Sequence, residues 1–220
     1  MKGKVPQGRC YQSAWYAHPF VHVFGGKADK KQLNDLVSFN VLTNTWKKCF
    51  SMDSPSVRSQ AAIVKATDTE AFLFGGFNET KETLLNDMWL CDLSAIDPHT
   101  KNNELTGMVW EKIKAKGKLP SPRKGHSFTR VPNQPRALLY GGLNYNSVDL
   151  EAKPDNDIYS FDFKSREWSV VKFLGQYPEP RSQHTFTFFN EHTFVIMGGI
   201  TTGRSEGLDK PKVFADFHMC

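Results

Sequence analysis

An all-β fold built from tandem four-stranded sheets is predicted by three features of this 220-residue chain. Four double glycines each close a short apolar run: Phe24-Gly25-Gly26, Phe74-Gly75-Gly76, Tyr140-Gly141-Gly142 and Met197-Gly198-Gly199. An arginine precedes the first glycine of each pair by 16, 17, 18 and 17 residues (Arg9, Arg58, Arg123, Arg181). Tryptophans follow at Trp46, Trp110 and Trp168, and each stands 12 or 13 residues before the next arginine. Three residue types keeping one order define a repeated unit, and a repeat outranks local propensity as a guide to architecture.

Taken in order, each unit reads as four short strands. The first follows the arginine, as in Ser59-Gln60-Ala61-Ala62-Ile63-Val64 and His184-Thr185-Phe186-Thr187-Phe188-Phe189. The second is the apolar run into Gly-Gly, where glycine supplies positive φ and close backbone approach without steric cost. The third begins at Asn34-Asp35, Asn86-Asp87 or Asn156-Asp157, and the fourth carries the tryptophan. An indole can lie between neighbouring sheets, burying on the order of 200 Å², or several kcal/mol of gross transfer energy at about 25 cal/mol per Å². These segments are rich in β-branched and aromatic residues and bounded by Gly, Pro, Asn and Asp. Prolines 55, 120, 122, 178 and 180 fall between units, where a missing amide hydrogen harms no ladder. No segment shows a helical period.

The unit resembles the Kelch repeat. The third fits best, through Pro122, Arg123, His126, Leu138-Leu139-Tyr140-Gly141-Gly142, Asn156-Asp157-Ile158-Tyr159, Phe161 and Trp168. The first offers Arg9, Val21-His22-Val23-Phe24-Gly25-Gly26, Asn34-Asp35-Leu36, Phe39 and Trp46, with the same seven-residue step from Phe to Trp. The resemblance implies a Kelch-type β-propeller with blades at about 6–54, 55–119, 120–177 and 178–220, the last incomplete. Arginine to arginine is 49, 65 and 58 residues, against roughly 50 for a Kelch unit. The excess sits between Cys91 and Trp110 and between Leu143 and Asp155, and is expected to form loops that leave the sheets unchanged. The chain opens at a first strand and closes on Val213-Phe214-Ala215-Asp216-Phe217, read as a third strand, with Pro211-Lys212 in the Asn-Asp position. That pattern predicts an open arc of about four blades: a shortened form, a short isoform or part of a larger ring. Direct four-blade closure is the alternative. An open arc needs further blades or self-association to cover its edges.

Composition fits a globular repeat protein, with 39% apolar and 13% aromatic residues. A net charge of +5 is too small and dispersed to imply nucleic acid. No long apolar segment or signal-peptide pattern is present, so neither membrane nor secretion is expected. Cys10, Cys49, Cys91 and Cys220 lack metal or CxxC spacing and read as free thiols of a cytoplasmic protein, the nucleus remaining open. Asn78-Glu79-Thr80 is a formal glycosylation sequon without a secretory context.

Most polar clusters have a structural reading. His126 and His184 share one repeat position with Gln12 and Ala61, which favours packing. His18 and His22 would align on a helix, but Pro19 and a strand intervene. Asp149, Glu151, Asp155 and Asp157 lack the EF-hand register. No metal or cofactor is expected. Lys112, Lys114, Lys116 and Lys118 alternate with smaller residues, and a single strand would put them on one side. They read as protection against edge pairing or as a contact for an acidic partner. The four arginines are expected to fix the turn between units, with carboxylate capture on a rim as the alternative.

Function is therefore placed in the loops after each Gly-Gly (Lys27 to Leu33, Phe77 to Leu85, Leu143 to Asp155, Ile200 to Lys210). The leading reading is a non-enzymatic protein-interaction module or scaffold that grips a peptide or partner domain. Phe77, Asn78, Asn144, Tyr145 and Arg204 are the candidate contacts, as non-repeating aromatic, amide and arginine side chains. The Kelch resemblance implies substrate receptors of ubiquitin ligases, cytoskeletal or actin binders, and signalling scaffolds. A Kelch-like enzyme, a copper oxidase or a sugar-processing protein, is the alternative, but no His, Tyr and Cys constellation suited to copper stands out.

Overall fold

The computed structural model describes residues 2–51, 53–101, 104–145, 152–154, 157–172, 177–201 and 212–219. Every regular element among them is a strand, and none is a helix long and apolar enough to cross a membrane. The chain divides into two compact units, Met1–Thr83 with Asp87–Ile113, and Leu84–Asn86 with Lys114–Cys220.

In the first unit, β1 (Ser13–Ala17), β2 (Phe20–Phe24), β5 (Leu36–Asn40) and β6 (Thr45–Cys49) form an antiparallel meander; β3 (Lys27–Ala28) and β4 (Lys31–Gln32) make a small hairpin beyond the glycines. The second meander is β7 (Ala62–Lys65), β8 (Glu70–Asn78), β9 (Thr83–Asp92) and, after β10 (Glu104–Leu105), β11 (Val109–Ile113). Strict alternation in β1, buried at Ser13, Trp15 and Ala17 and exposed at Ala14 and Tyr16, follows from the two-residue period of a strand with one face inward. One core, including Trp15, Phe20, Phe24, Leu36, Leu73, Cys91 and Trp110, joins the two sheets. Trp110 lies 5.0 Å from Phe24 of the neighbouring sheet, which is the seam position expected for the indole.

The insert before Trp110 is more than a loop. Its strand β10 runs parallel to Lys48–Cys49 on the outer edge of the first sheet, and Leu105 is fully buried there. Lys2 bridges Thr45 on the same edge. That edge is thus covered from within the chain, which removes an invitation to intermolecular pairing.

The second unit holds β12 (Lys116–Gly117), β13 (Ser127–Arg130), β14 (Arg136–Tyr140), β15 (Leu143–Tyr145), β16 (Ala152–Pro154), β17 (Ile158–Asp162) and β18 (Glu167–Val171). It continues with β19 (Thr185–Phe188), β20 (Phe194–Met197), β21 (Ile200–Thr201), β22 (Lys212–Val213) and β23 (Phe217–Met219). The third sheet is β12-β18-β17-β14-β13, and the fourth is β19-β20-β23. Trp168, 1% exposed, packs at a tilt against the rings of Phe161 and Phe128 of its own sheet.

Two expectations are corrected here. The alternating lysines do not share a strand: Lys112 sits in β11 of the second sheet, and Lys116 in β12, parallel to β18 of the third. In the fourth sheet the strand paired with β20 is Phe217–Met219, while Lys212–Val213 pairs with Ile200–Thr201. Asp216, not Pro211-Lys212, therefore occupies the Asp position, immediately before its strand as Asp35 is before β5.

Strand β12 also reveals a repeated phrase. Lys116-Gly117-Lys118-Leu119-Pro120 stands at the same distance from Arg123 as Lys2-Gly3-Lys4-Val5-Pro6 does from Arg9. Both lie along a tryptophan strand: Trp46 N donates to Lys2 O at 3.0 Å, and Lys118 N to Trp168 O at 3.0 Å. The two glycines have φ of 79° and 77°, and a Cβ on either would meet a tryptophan carbonyl oxygen at 2.1 Å. The phrase lays one extra outer strand on its own sheet.

Candidate functional site

The site is built outward from the arginines. Arg9 binds Asp35 through two hydrogen bonds, Nη1 to Oδ1 at 2.7 Å and Nη2 to Oδ2 at 3.0 Å, and donates to Gly25 O at 3.1 Å. Arg58 does the same with Asp87, at 2.7 and 2.8 Å, and Gly75 O, at 3.0 Å. Arg123 donates to Gly141 O at 2.9 Å and lies over Tyr159. Arg181 grips Asp216, at 2.5 and 2.8 Å, and Gly198 O, at 3.1 Å, and lies 3.9 Å from the Phe214 ring centroid. The planar fork of guanidinium suits this bidentate geometry as lysine would not.

Each arginine thus ties the end of its own second strand to the start of the third. Its backbone meanwhile serves the preceding blade. Within the first unit Gly26 N donates to Arg58 O at 2.9 Å, and Arg58 N to Leu33 O at 3.2 Å; within the second, Gly142 N donates to Arg181 O at 2.9 Å. The glycine pair is needed for this approach. Gly141 has φ of 66°, and a Cβ there would lie 2.4 Å from Arg181 O. The guanidinium groups bond the chain's own groups, and the carboxylates at Arg9, Arg58 and Arg181 come from the chain itself.

Electrostatics agree with a sealed base. Burial raises the Asp87 carboxyl, but Arg58 and the Trp89 indole N–H outweigh it and hold its pKa below the usual range. Asp216 is held lower still, chiefly by its bond to Arg181. His184 packs on Gly199 and on the Tyr140 ring and bonds Ser127 through Nε2; burial, with Arg181 nearby, lowers its pKa to about 3. His126 occupies the same place over Gly142, Gln12 over Gly26 and Ala61 over Gly76, so the shared position is a packing position. His22, 1% exposed, stacks on Trp15 and bonds Ser38 Oγ at 2.7 Å, and burial lowers its pKa to about 4. His18 instead meets Tyr16 Oη at 2.8 Å, so the two histidines do not converge. Burial pushes the Cys49 thiol up to about 12 and raises Cys91 further, so neither is a nucleophile near neutrality.

Beyond each glycine pair the described residues pair as short antiparallel strands, β3–β4, β15–β16 and β21–β22, with the outer ends of β8 and β9 in the second sheet. In the first unit neighbouring hairpins are cross-linked. Lys27 Nζ contacts both Glu79 oxygens at 2.9 Å; Gln32 Nε2 donates to Phe77 O, and Glu79 N donates to Gln32 Oε1. Lys30, Lys31, Thr80, Lys81 and Glu82 remain exposed around these links.

The candidate contacts differ in what they offer. Phe77 is half-buried on this rim, its backbone paired with Ser59. Asn78 is only 2% exposed and its side-chain oxygen accepts Lys81 N at 3.0 Å, so this amide holds the turn and is not presented to a partner. Asn144 is half-buried and donates to Ser121 Oγ at 3.0 Å. Tyr145 ends β15, opposite Ala152, and its side chain lies outside the described set; Arg204, Asp149, Glu151, Asp155 and Cys220 lie outside the described residues. Lys27, Gln32 and Glu79 are not among the contact candidates that the sequence offers. Their pairings connect residues 45–52 positions apart, which spacing alone does not reveal.

Comparison with known proteins closes the question of family. The model of the KLHDC2/KLHL20/DRC7 Kelch-repeats domain matches residues 1–199. The chain belongs to this Kelch-repeat family. Among curated relatives, the Kelch chain is 32% identical over 133 residues to Rho GTPase-activating protein gacHH of Dictyostelium discoideum, covering 59% of this chain and 8% of that protein. It is 27% identical over 196 residues to acyl-CoA-binding domain-containing protein 4 of Arabidopsis thaliana (89% and 26%), and 28% over 221 residues to human host cell factor 1 (90% and 10%). The chain spans less than a third of each of these relatives. The solved structure of YjhT superimposes with a TM-score of 0.70 at 14% identity, over 96% of this chain and 68% of that one, and shows the same Kelch β-propeller fold.

Proposed function

We propose that this Kelch chain is a non-enzymatic protein-interaction module that takes a peptide or partner domain on the hairpins beyond its glycine pairs. The observation that carries this reading is the division of labour at each hairpin base. The repeating Arg, Asp and Gly groups are consumed in internal bonds, whereas the hairpin tips differ from blade to blade and, in the first unit, are held by Lys27–Glu79 and Gln32. A rigid base with varied side chains lowers the ordering cost of binding. Kelch propellers generally bind protein partners, which supports the same class.

Within that class the finer reading is substrate recognition for a ubiquitin ligase or a scaffold role, in the cytoplasm or nucleus, with Phe77, Tyr145 and Arg204 as contacts. The test is affinity purification with mass spectrometry, comparing the native chain with a Phe77→Ala, Tyr145→Ala, Arg204→Ala variant of unchanged melting temperature. Loss of one reproducible set of partners supports the assignment. Unchanged capture places the contact surface elsewhere.

A further inference from the structure

The seam inside the first unit shows what each face of a blade packs against. On one side stand Phe24 and its cross-strand partner Leu36, both buried. On the other stand Leu73 and the cross-strand pair Cys91 and Trp110, also buried. All five belong to one core. A blade thus offers the residue before Gly-Gly on one face and its tryptophan on the other.

Each half of this seam recurs, exposed, on another sheet. In the fourth sheet Met197 precedes Gly-Gly and pairs with Phe217, as Phe24 pairs with Leu36; Val195 pairs with Met219 beside them. Met197, Phe217 and Met219 are 53%, 57% and 59% exposed. The opposite face of this sheet is sealed, with Phe186, Phe194 and Ile196 in a core that includes Leu138, Tyr140 and Ile158. In the first sheet the row Tyr16, Val21, Phe39 and Trp46 runs in register across β1, β2, β5 and β6, on the face away from Phe24. Tyr16 is exposed and the other three are half-buried, whereas Trp110 and Trp168 are sealed. Val5, Pro6, Leu33, Val37 and Trp46 supply the apolar lining of a cleft of about 610 Å³ on this face. A blade face that stays in water is polar in a repeat array, and a contiguous apolar one marks an interaction surface.

We infer that the fourth sheet of one copy of this chain seats on the first sheet of a second copy, with Met197 and Phe217 against the Trp46 face. The occupant is the chain itself because it carries both halves of a seam that it already builds once. The contact is head-to-tail, and two copies satisfy each other by making it twice. It is independent of the hairpin rim, so the two assignments fail separately.

Sedimentation velocity on the full chain across micromolar concentrations tests it. A species of twice the chain mass is expected to grow with concentration. Phe217→Glu on one face and Tyr16→Glu on the other, both at exposed positions and checked for an unchanged melting temperature, are each expected to weaken the dimer by about tenfold or more. Met197→Lys should act as Phe217→Glu does. Lys164→Glu, on a turn of the third sheet, should associate as the native chain does. A mixture of the Phe217→Glu and Tyr16→Glu variants should associate more tightly than either alone, because one intact pair of faces remains. A chain that stays monomeric overturns the inference, and so does a mixture no tighter than its components. A dimer lost with Phe217→Glu but kept with Tyr16→Glu also overturns it, in favour of edge-to-edge pairing of β23.

Discussion

The base of a glycine hairpin and its tip obey different rules. At the base, Arg9, Arg58 and Arg181 repeat one set of contacts, with an aspartate at the start of the third strand and a glycine carbonyl at the end of the second. A few residues outward the repetition stops: the first tip pairs Lys27 with Gln32, the second extends β8 and β9, and the third joins Leu143 to Pro154. The contrast teaches that recurrence marks what holds a blade together, and that recognition belongs to what does not recur. The same contrast exists between blades. The Arg58–Asp87 pair is more buried than Arg9–Asp35, with aspartate side chains 17% and 34% exposed.

Breaking the deeper clamp is expected to have the largest effect. Arg58→Ala strands a buried carboxylate and should cost about 3–5 kcal/mol in urea denaturation, whereas Arg9→Ala, whose aspartate reaches solvent, should cost about 1–2. Equal losses would show that burial does not distinguish them. Gly141→Ala combines a left-handed backbone with a clash against Arg181 O, and about 3 kcal/mol or more is expected. Gly8→Ala, with nothing within 4 Å, should stay within about 0.5 kcal/mol.

Acid sharpens the comparison through His22. Its folded-state pKa, about 4, lies below the ordinary 6.5, so the unfolded chain binds more protons between these values. Stability from this group is complete above pH 6.5 and is lost as pH falls toward 4, by roughly 3 kcal/mol. His184 extends the same loss toward pH 3. A His22→Gln variant, measured by denaturation across that window, should show a flatter decline than the native chain. The smallest effect belongs to the rim. Lys27 and Glu79 are a third exposed, so Lys27→Ala should change stability by at most about 0.5 kcal/mol.

The base was legible in the sequence because close packing forces Arg, Gly-Gly and Trp to return at fixed spacing. The fourth sheet differs from its sequence pattern for a physical reason. Phe214 looks like a strand residue, but its ring serves Arg181, and the strand starts only after Asp216, where alanine replaces the usual Asn. The lysine run looked continuous because alternation of side chains carries no sign of a change of sheet. The Lys-Gly-Lys phrase was visible at 2–4 and 116–118, yet its role depends on a partner strand more than 40 residues away. An amide in a loop suggests an exposed contact at Asn78, and its burial follows from the turn it caps. The tip pairings, made between different repeats, leave no periodic trace at all.

A double-mutant cycle on Arg58→Ala and Asp87→Ala, followed by urea denaturation, tests the division between base and tip most directly. The clamp predicts a coupling of about 2–3 kcal/mol, with the double variant more stable than the summed single losses allow. Additive losses, with coupling near zero, would mean that the recurring arginines do not hold the blades.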